Sequence, residues 1–322
     1  MSDDFDAYYD AELRPALESL EERRRQASRT WRTVAGVTLV VVVGALVAAA
    51  ALSYWIIAAV AVVLGAGCLF GSHAILFHPV IRDAKREMIG ALARFVDPSL
   101  RYSPKGCITR AQFRRSRLFS HGVDRYRGED LVQGRIGSTD IRFSEVHAQY
   151  KTTHTDGKGH THTSWHTIFK GLFVIADFNK HFRGVTRVLP DVAERALGWF
   201  GQKLQGAFDV FERGELVKLE DPEFEREFVV YADDQVEARY ILTPALMRRL
   251  LDFKRRAGRD VCFSFAGSSV HIAISTSRDM FEPDASRSFL DRAAMLAHLR
   301  DLQFATSVVK ELDLNTRIWT KE

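Results

Sequence analysis

From Thr33 to Ile81 the chain contains no Asp, Glu, Lys or Arg. Between Ser99 and Val123 it has no acidic residue. Its 3 cysteines, Cys68, Cys107 and Cys262, are too far apart for a disulfide framework or a Cys-based zinc site. The sequence also lacks a G-x-S-x-G elbow, a phosphate-binding G-x-x-x-x-G-K-[ST] loop, H-E-x-x-H, and a G-x-G-x-x-G following a strand. Gly157-Lys158-Gly159 is too short to cradle a phosphate, and Glu220-Asp221 and Asp233-Asp234 are chain neighbours whose side chains diverge. The sequence therefore makes no positive case for an enzyme. With a net charge of only +4 it also lacks the dedicated basic face of a nucleic-acid binder.

What fills the uncharged run is Val, Ala, Leu and Ile. Drawn as one helix it would be about 73 Å long, more than twice the roughly 30 Å hydrocarbon core of a bilayer. It therefore reads as a hairpin broken at Ser53, Tyr54 and Trp55, with spans over 33–52 and 56–77. Arg23, Arg24, Arg25, Arg29 and Arg32 precede it, and Arg82, Lys85 and Arg86 follow, so the positive-inside rule puts both termini in the cytoplasm. The run begins too far from Met1, and is too long, for a cleaved signal peptide. Gly44 and Ala48, and Gly67 and Gly71, stand four apart, a spacing that lets helices approach closely, either within the hairpin or between two copies in a homodimer.

The chain divides into a cytoplasmic N-terminal segment 1–32, the transmembrane hairpin 33–81 and a cytoplasmic α+β domain 82–322. In the first, Tyr9, Leu13, Leu17 and Leu20 recur at helical spacing, which predicts an amphipathic helix able to dock on the later domain. Thr109 with Gln112 forms a capping box, and Ile108 with Phe113 a hydrophobic staple, predicting a helix that carries Arg110, Arg114, Arg115 and Arg117. These four arginines are candidate contacts for anionic lipid.

Beyond Asp130 the apolar period changes to two. It predicts a hairpin turning at Gly137-Ser138, a central strand over 168–178, a strand over 185–189, and a second hairpin turning at Gly267-Ser268. Strands at 215–219 and 228–231 flank an expected turn at Asp221-Pro222. Helices are expected from Asp191 through Leu204, from Thr243-Pro244 to Gly258, and over Ser286–Val309. Antiparallel hairpins mixed with amphipathic helices, with few βαβ units, specify α+β.

Between the first hairpin and the central strand, His147, His154, His160, His162 and His166 account for five of the 11 histidines. A turn at 156–159 would set His154 opposite His160 and His162 on one strand face, and with His166 these four are candidate ligands for zinc or copper. A solvated hairpin tip in which His is merely tolerated is the other reading.

The segments FKGLFVIADFNKHFRGVTRVLPD (Phe169 to Asp191) and LEDPEFEREFVVYADDQVEARYILTPALMRRLLDF (Leu219 to Phe253), together with the hairpin, resemble the bacterial family known as domain of unknown function 3137, over most of the chain after Arg82. That resemblance implies a membrane-anchored bacterial protein and brings no activity, cofactor or catalytic residue with it; with both termini cytoplasmic, the expected location is the bacterial inner membrane. The His-rich stretch lies outside the motifs that carry it. Three functions are expected on these grounds. The first is a membrane-anchored module binding a protein or anionic lipid; the second is a metal sensor or metal-dependent enzyme using the histidines; the third is an accessory subunit of a larger membrane complex.

Overall fold

The computed structural model describes residues 2–52, 55–155, 157, 159–191 and 214–315. They form a mixed helical and antiparallel β architecture, α+β as the sequence pattern specifies. The chain divides into two compact units: residues 1–95 with 281–298, and residues 96–280 with 299–322.

In the first unit, α1 (Ser2–Tyr8) passes through a π-helical turn at Tyr9–Leu13 into α2 (Arg14–Leu52), and α3 (Trp55–Val96) returns. The predicted stripe is buried: Tyr9, Leu13, Leu17 and Leu20 are each at most 6% exposed, and Phe5, one turn earlier, is buried with them. Ala84, Met88, Ile89 and Leu92 form the buried side of α3. Phe95 packs its ring on Phe5 and Tyr8, and the Tyr8 hydroxyl donates to the Ala91 carbonyl. Pro15 lies just after the π-helical turn at Tyr9–Leu13, where the regular helical hydrogen-bond ladder is already interrupted. The N-terminal helix docks on the segment 281–298: the Tyr9 hydroxyl donates to the Leu290 carbonyl at 2.9 Å and Arg292 pairs with Asp6 at 2.8 Å.

α2 and α3 are each long and apolar enough to cross a membrane. Their apolar side chains point outward, with Val40 72%, Ile56 80% and Phe70 80% exposed. The expected small-residue pairs are not where the helices touch. A Cβ on Gly65 would lie 2.7 Å from Val42 Cγ2, whereas Gly44, Gly67 and Gly71 have nothing within 4 Å. Ala49, at 0% exposure, is buried rather than Ala48. Helical phase is the reason, since one residue of offset rotates a side chain by about 100°.

The second unit is built on a nine-stranded sheet of order β1-β2-β3-β4-β9-β8-β5-β7-β6, antiparallel at every pairing. Its strands are β1 (Arg101–Ser103), β2 (Arg125–Ile136), β3 (Thr139–Thr155), β4 (Thr161–Asp177), β5 (Val185–Pro190), β6 (Glu215–Val217), β7 (Phe228–Ala232), β8 (Val261–Ala266) and β9 (Ser269–Ser275). Both predicted hairpin turns form, with Gly137 at φ 61° and Gly267 at φ 63°, the first-position geometry that admits glycine without strain. β4 is central, as its nearly continuous apolar run requires.

Alternation divides the sheet residues between two layers. On one face Phe263 packs edge-on against Phe253 of α7 (Pro244–Ala257), which in turn stacks on Phe304 in the C-terminal half of α8 (Arg292–Glu311). On the other, Phe173, Ala273 and Cys262 join Phe113, Leu118 and Val123 from the segment around α4 (Arg110–Arg115) in one apolar cluster.

Local details depart from expectation in four places. α4 stops at Arg115, because Ser116 turns the chain and Arg117 takes φ 50°, so Arg117 is not on the helix. Asp221-Pro222 is no turn: the Asp221 carboxylate accepts from the Glu223 and Phe224 amides and opens α5 (Pro222–Glu227). An unforeseen α6 (Gln235–Ile241) is capped in the same way by Asp234. α8 begins at Arg292 rather than Ser286, since Asp291 accepts from the Ala293 amide. The helix expected after Asp191 falls outside the described residues.

Candidate ligand basin

A basin of about 720 Å³ opens on the α4 face of the sheet, and its lining comes from separate parts of the second unit. α4 contributes Gln112 and Arg115, β3 Asp140 and Arg142, β4 Ile175 and Asp177, β9 Ser269 and His271, and the turn before β5 His181 and Arg183. Strand register brings these together. Arg142 is opposite Ile175, Ile175 opposite His271, His271 opposite Ser264, and Ser264 opposite Arg187, a single row across five strands. Opposed residues share a face, so an arginine and a histidine far apart in sequence look out on the same side.

Buried polar groups bolt the walls of the basin to this row. Ser264 Oγ donates to the Ser116 carbonyl at 2.5 Å and Arg187 Nε donates to the Arg117 carbonyl at 2.7 Å. Asp233 completes the clamp: it pairs with Arg117 at 2.9 Å and with Arg187 at 3.4 Å, and accepts the Val185 amide at 3.2 Å. Arg187 is 1% exposed. Removing Asp233 would unpair the buried Arg187 guanidinium from that carboxylate, which is destabilising for a charge kept from water. Beside this clamp the Glu237 carboxylate accepts the Arg183 and Gly184 amides at 3.0 and 2.9 Å, and His181 Nδ1 lies 3.1 Å from Ser268 Oγ.

His271, at the floor, is 5% exposed, and burial pushes its imidazole down to about 4, so the ring is neutral at pH 7. Among the described residues its Nδ1 has no hydrogen-bond partner. Arg115, Arg142 and Arg183 share the lining with Asp140 and Asp177. Asp140 is also held by Arg135 outside it, at 2.8 Å. The balance favours an anionic group of modest size.

The candidate lipid contacts are split by this arrangement. Arg115 lines the basin, Arg117 belongs to the Asp233 clamp, and Arg110 and Arg114 stand exposed on α4. Of the candidate metal ligands, His154 lies directly opposite His162 at the end of the β3–β4 ribbon. His166 pairs with Tyr150, four residues further along β4, about 13 Å from His162 at the rise of a strand. There it is stacked on the Tyr150 ring at 4.8 Å, and its Nε2 lies 2.8 Å from Thr152 Oγ1. His121 covers the ring as well, at 4.3 Å. His160 falls just before β4. Among the described residues no group of three or more His, Cys, Asp or Glu comes together to hold a metal.

Arg142, Arg183, His181 and His271 are absent from the sequence-derived candidates because no spacing links them. One signal existed: His271 interrupts the apolar run of β9 between Val270 and Ile272.

No curated protein matches the chain. The crystal structure of the mycobacterial trehalose monomycolate transport factor A, TtfA, superposes with a TM-score of 0.34 at 10% identity, covering 71% of this chain and 94% of that one. Similarity at that level specifies neither topology nor function. Residues 167–314 match the family described as Protein of unknown function (DUF3137), a span that starts inside β4 and leaves β1 to β3 outside. Over that segment, under half of its length, the chain is similar to the DUF3137 family.

Proposed function

We propose that this chain is a membrane-anchored binding protein of the bacterial inner membrane, whose sheet domain takes an acidic group of a protein partner into the basin beside α4. The observation that carries the reading is the convergence of Arg115, Arg142 and Arg183 on one polar basin over a buried, neutral His271. The anchor is supported by two helices whose apolar side chains point outward, where water would oppose them, and by the arginines flanking both. Both termini then lie on the cytoplasmic side.

The test is photo-cross-linking of the full chain in native membranes from a reactive residue placed at Gln112. A discrete adduct that disappears on Arg142→Glu supports the basin. The same adducts with and without Arg142→Glu would sink it.

A second reading, a metal sensor or metal-dependent enzyme, is favoured by one observation, the opposition of His154 and His162. Stoichiometric zinc or copper in untagged protein, lost on His162→Ala, would support it; a metal-free protein would end it.

A further inference from the structure

A smaller pocket of about 280 Å³ lies within the helical unit, lined by Arg24, Ser28, Trp31 and Arg32 of α2, His73 and Phe77 of α3, and the turn at Ala285-Ser286. We infer that it holds the phosphodiester headgroup of an anionic phospholipid. This rests on the membrane reading above and adds a site to it.

Depth comes first. Contacts between the helices fix which residues share a level: Arg23 meets Asp83 at 3.1 Å, Trp31 meets His73 at 5.8 Å between ring centres, and Thr38 Oγ1 lies 3.8 Å from Cys68 Sγ. The uncharged part of α2 starts at Thr33, two residues or about half a turn inside Trp31. From there to Leu52 is about 30 Å of helix, and from Trp55 to Ser72 about 27 Å, each one hydrocarbon thickness. The hairpin thus leaves the hydrocarbon at the Trp31–His73 level, nearer Ser72 than Phe77 on the second helix. The pocket sits in the headgroup layer, where an amphipathic Trp is favoured.

Chemistry comes second. Ser28, Trp31 and Arg32 come four, seven and eight positions after Arg24, one face of a helix. Arg24 is held by the buried Glu21 carboxylate at 2.9 and 2.8 Å, and it also donates to the Ala285 carbonyl, so it is a fixed wall. Arg32 is exposed, and among the described residues it has no carboxylate partner. The nearby acids are engaged: Glu21 by Arg24, Arg25 and the Phe289 amide, and Asp284 by the Ser286 amide and Arg287. A guanidinium free to fork onto a phosphate, a hydroxyl from Ser28 and an aromatic wall of His73 stacked on Phe77 at 4.6 Å suit a headgroup whose chains run down the outside of the helices. At about 280 Å³ the pocket is just below the roughly 300–1,000 Å³ of small-ligand sites, too small for a folded partner.

The experiment uses the full chain reconstituted with phosphatidylcholine and a graded fraction of phosphatidylglycerol, with retained lipid counted by native mass spectrometry. One phosphatidylglycerol is expected to be held in preference to phosphatidylcholine. Arg32→Gln should weaken it about tenfold, the loss of one charge-assisted hydrogen-bonded contact, while Arg29→Gln, one turn away and outside the pocket, should not. Equal loss in both variants, or no preference between lipids, overturns the site. Displacement of the lipid by millimolar inorganic phosphate would assign the pocket to a soluble anion instead and overturn the lipid. Carbonate extraction of the same vesicles separates the two claims: a chain that is stripped off overturns the membrane reading and this site together, whereas an inserted chain without preference overturns this site alone.

Discussion

Glu21, in the N-terminal half of α2, accepts the backbone N–H of Phe289 at 2.9 Å across 268 positions of sequence. Its two oxygens also take Arg24 and Arg25, and although burial alone would raise its pKa, these hydrogen bonds hold the carboxyl down at about 2. The carboxylate ties the start of the chain to the turn before α8.

The sign of the resulting pH dependence is fixed. A carboxyl held below its ordinary 4.5 contributes stability that is complete above 4.5 and fades as pH falls toward about 2. Glu21→Gln should therefore cost about 2–3 kcal/mol at pH 7, the worth of hydrogen bonds to a charged group, and progressively less in acid. Denaturant unfolding of the full chain at several pH values measures this. A cost that does not change with pH would contradict the assignment.

His271 acts in a higher window. Its folded value of about 4 lies below the ordinary 6.5, so protonation favours unfolding, and the stability it contributes is lost as pH falls from 6.5 toward 4. His271→Leu should flatten the stability profile in that interval and leave the Glu21 decline below it. An unchanged slope between 6.5 and 4 would show that another group titrates there.

Cutting the chain before Arg82 removes the partner of the segment 281–298. Leu290 loses Tyr9, Arg292 loses Asp6, and Phe289 loses Glu21. An Arg82–Glu322 fragment should therefore elute as aggregate in size-exclusion chromatography. A monodisperse fragment with the melting temperature of the full chain would show these contacts to be dispensable.

Within the hairpin, Thr38 Oγ1 and Cys68 Sγ lie 3.8 Å apart. Thr38→Cys should form an intramolecular disulfide with Cys68 on mild oxidation. Adding Gly65→Leu should suppress it by pushing the helices apart, because a Cβ there already meets Val42 Cγ2 at 2.7 Å, while Gly67→Leu should leave the yield unchanged. Equal effects of the two leucines would refute the packing at Gly65.

Much of this architecture is legible in short-range chemistry. The Thr109–Gln112 capping box, the Thr243-Pro244 start, the Gly137 and Gly267 turns and the Tyr9–Leu20 stripe are decided by residues within one or two turns of each other, and all form. Asp221 and Asp234 are ambiguous in the sequence because the same Asp can start a turn or cap a helix, and the residues downstream of it choose between the two. Within the hairpin the small-residue pairs are not the contact for a different reason: spacing identifies candidates for close approach, but only the rotation of α2 against α3 selects Gly65. The basin is illegible because its members meet through strand register. Arg142 and His271 share a face only because Ile175 stands between them on β4.

The most direct test of the anchored-module account is two-sided thiol labelling in membranes, with the native cysteines replaced and single cysteines at Glu22 and Ala51. The account predicts that an impermeant reagent added outside intact cells labels Ala51→Cys only, and that Glu22→Cys reacts once the cytoplasmic face is opened. Labelling of Glu22→Cys from outside, or of both positions only after lysis, would contradict a hairpin that holds the basin at the cytoplasmic surface.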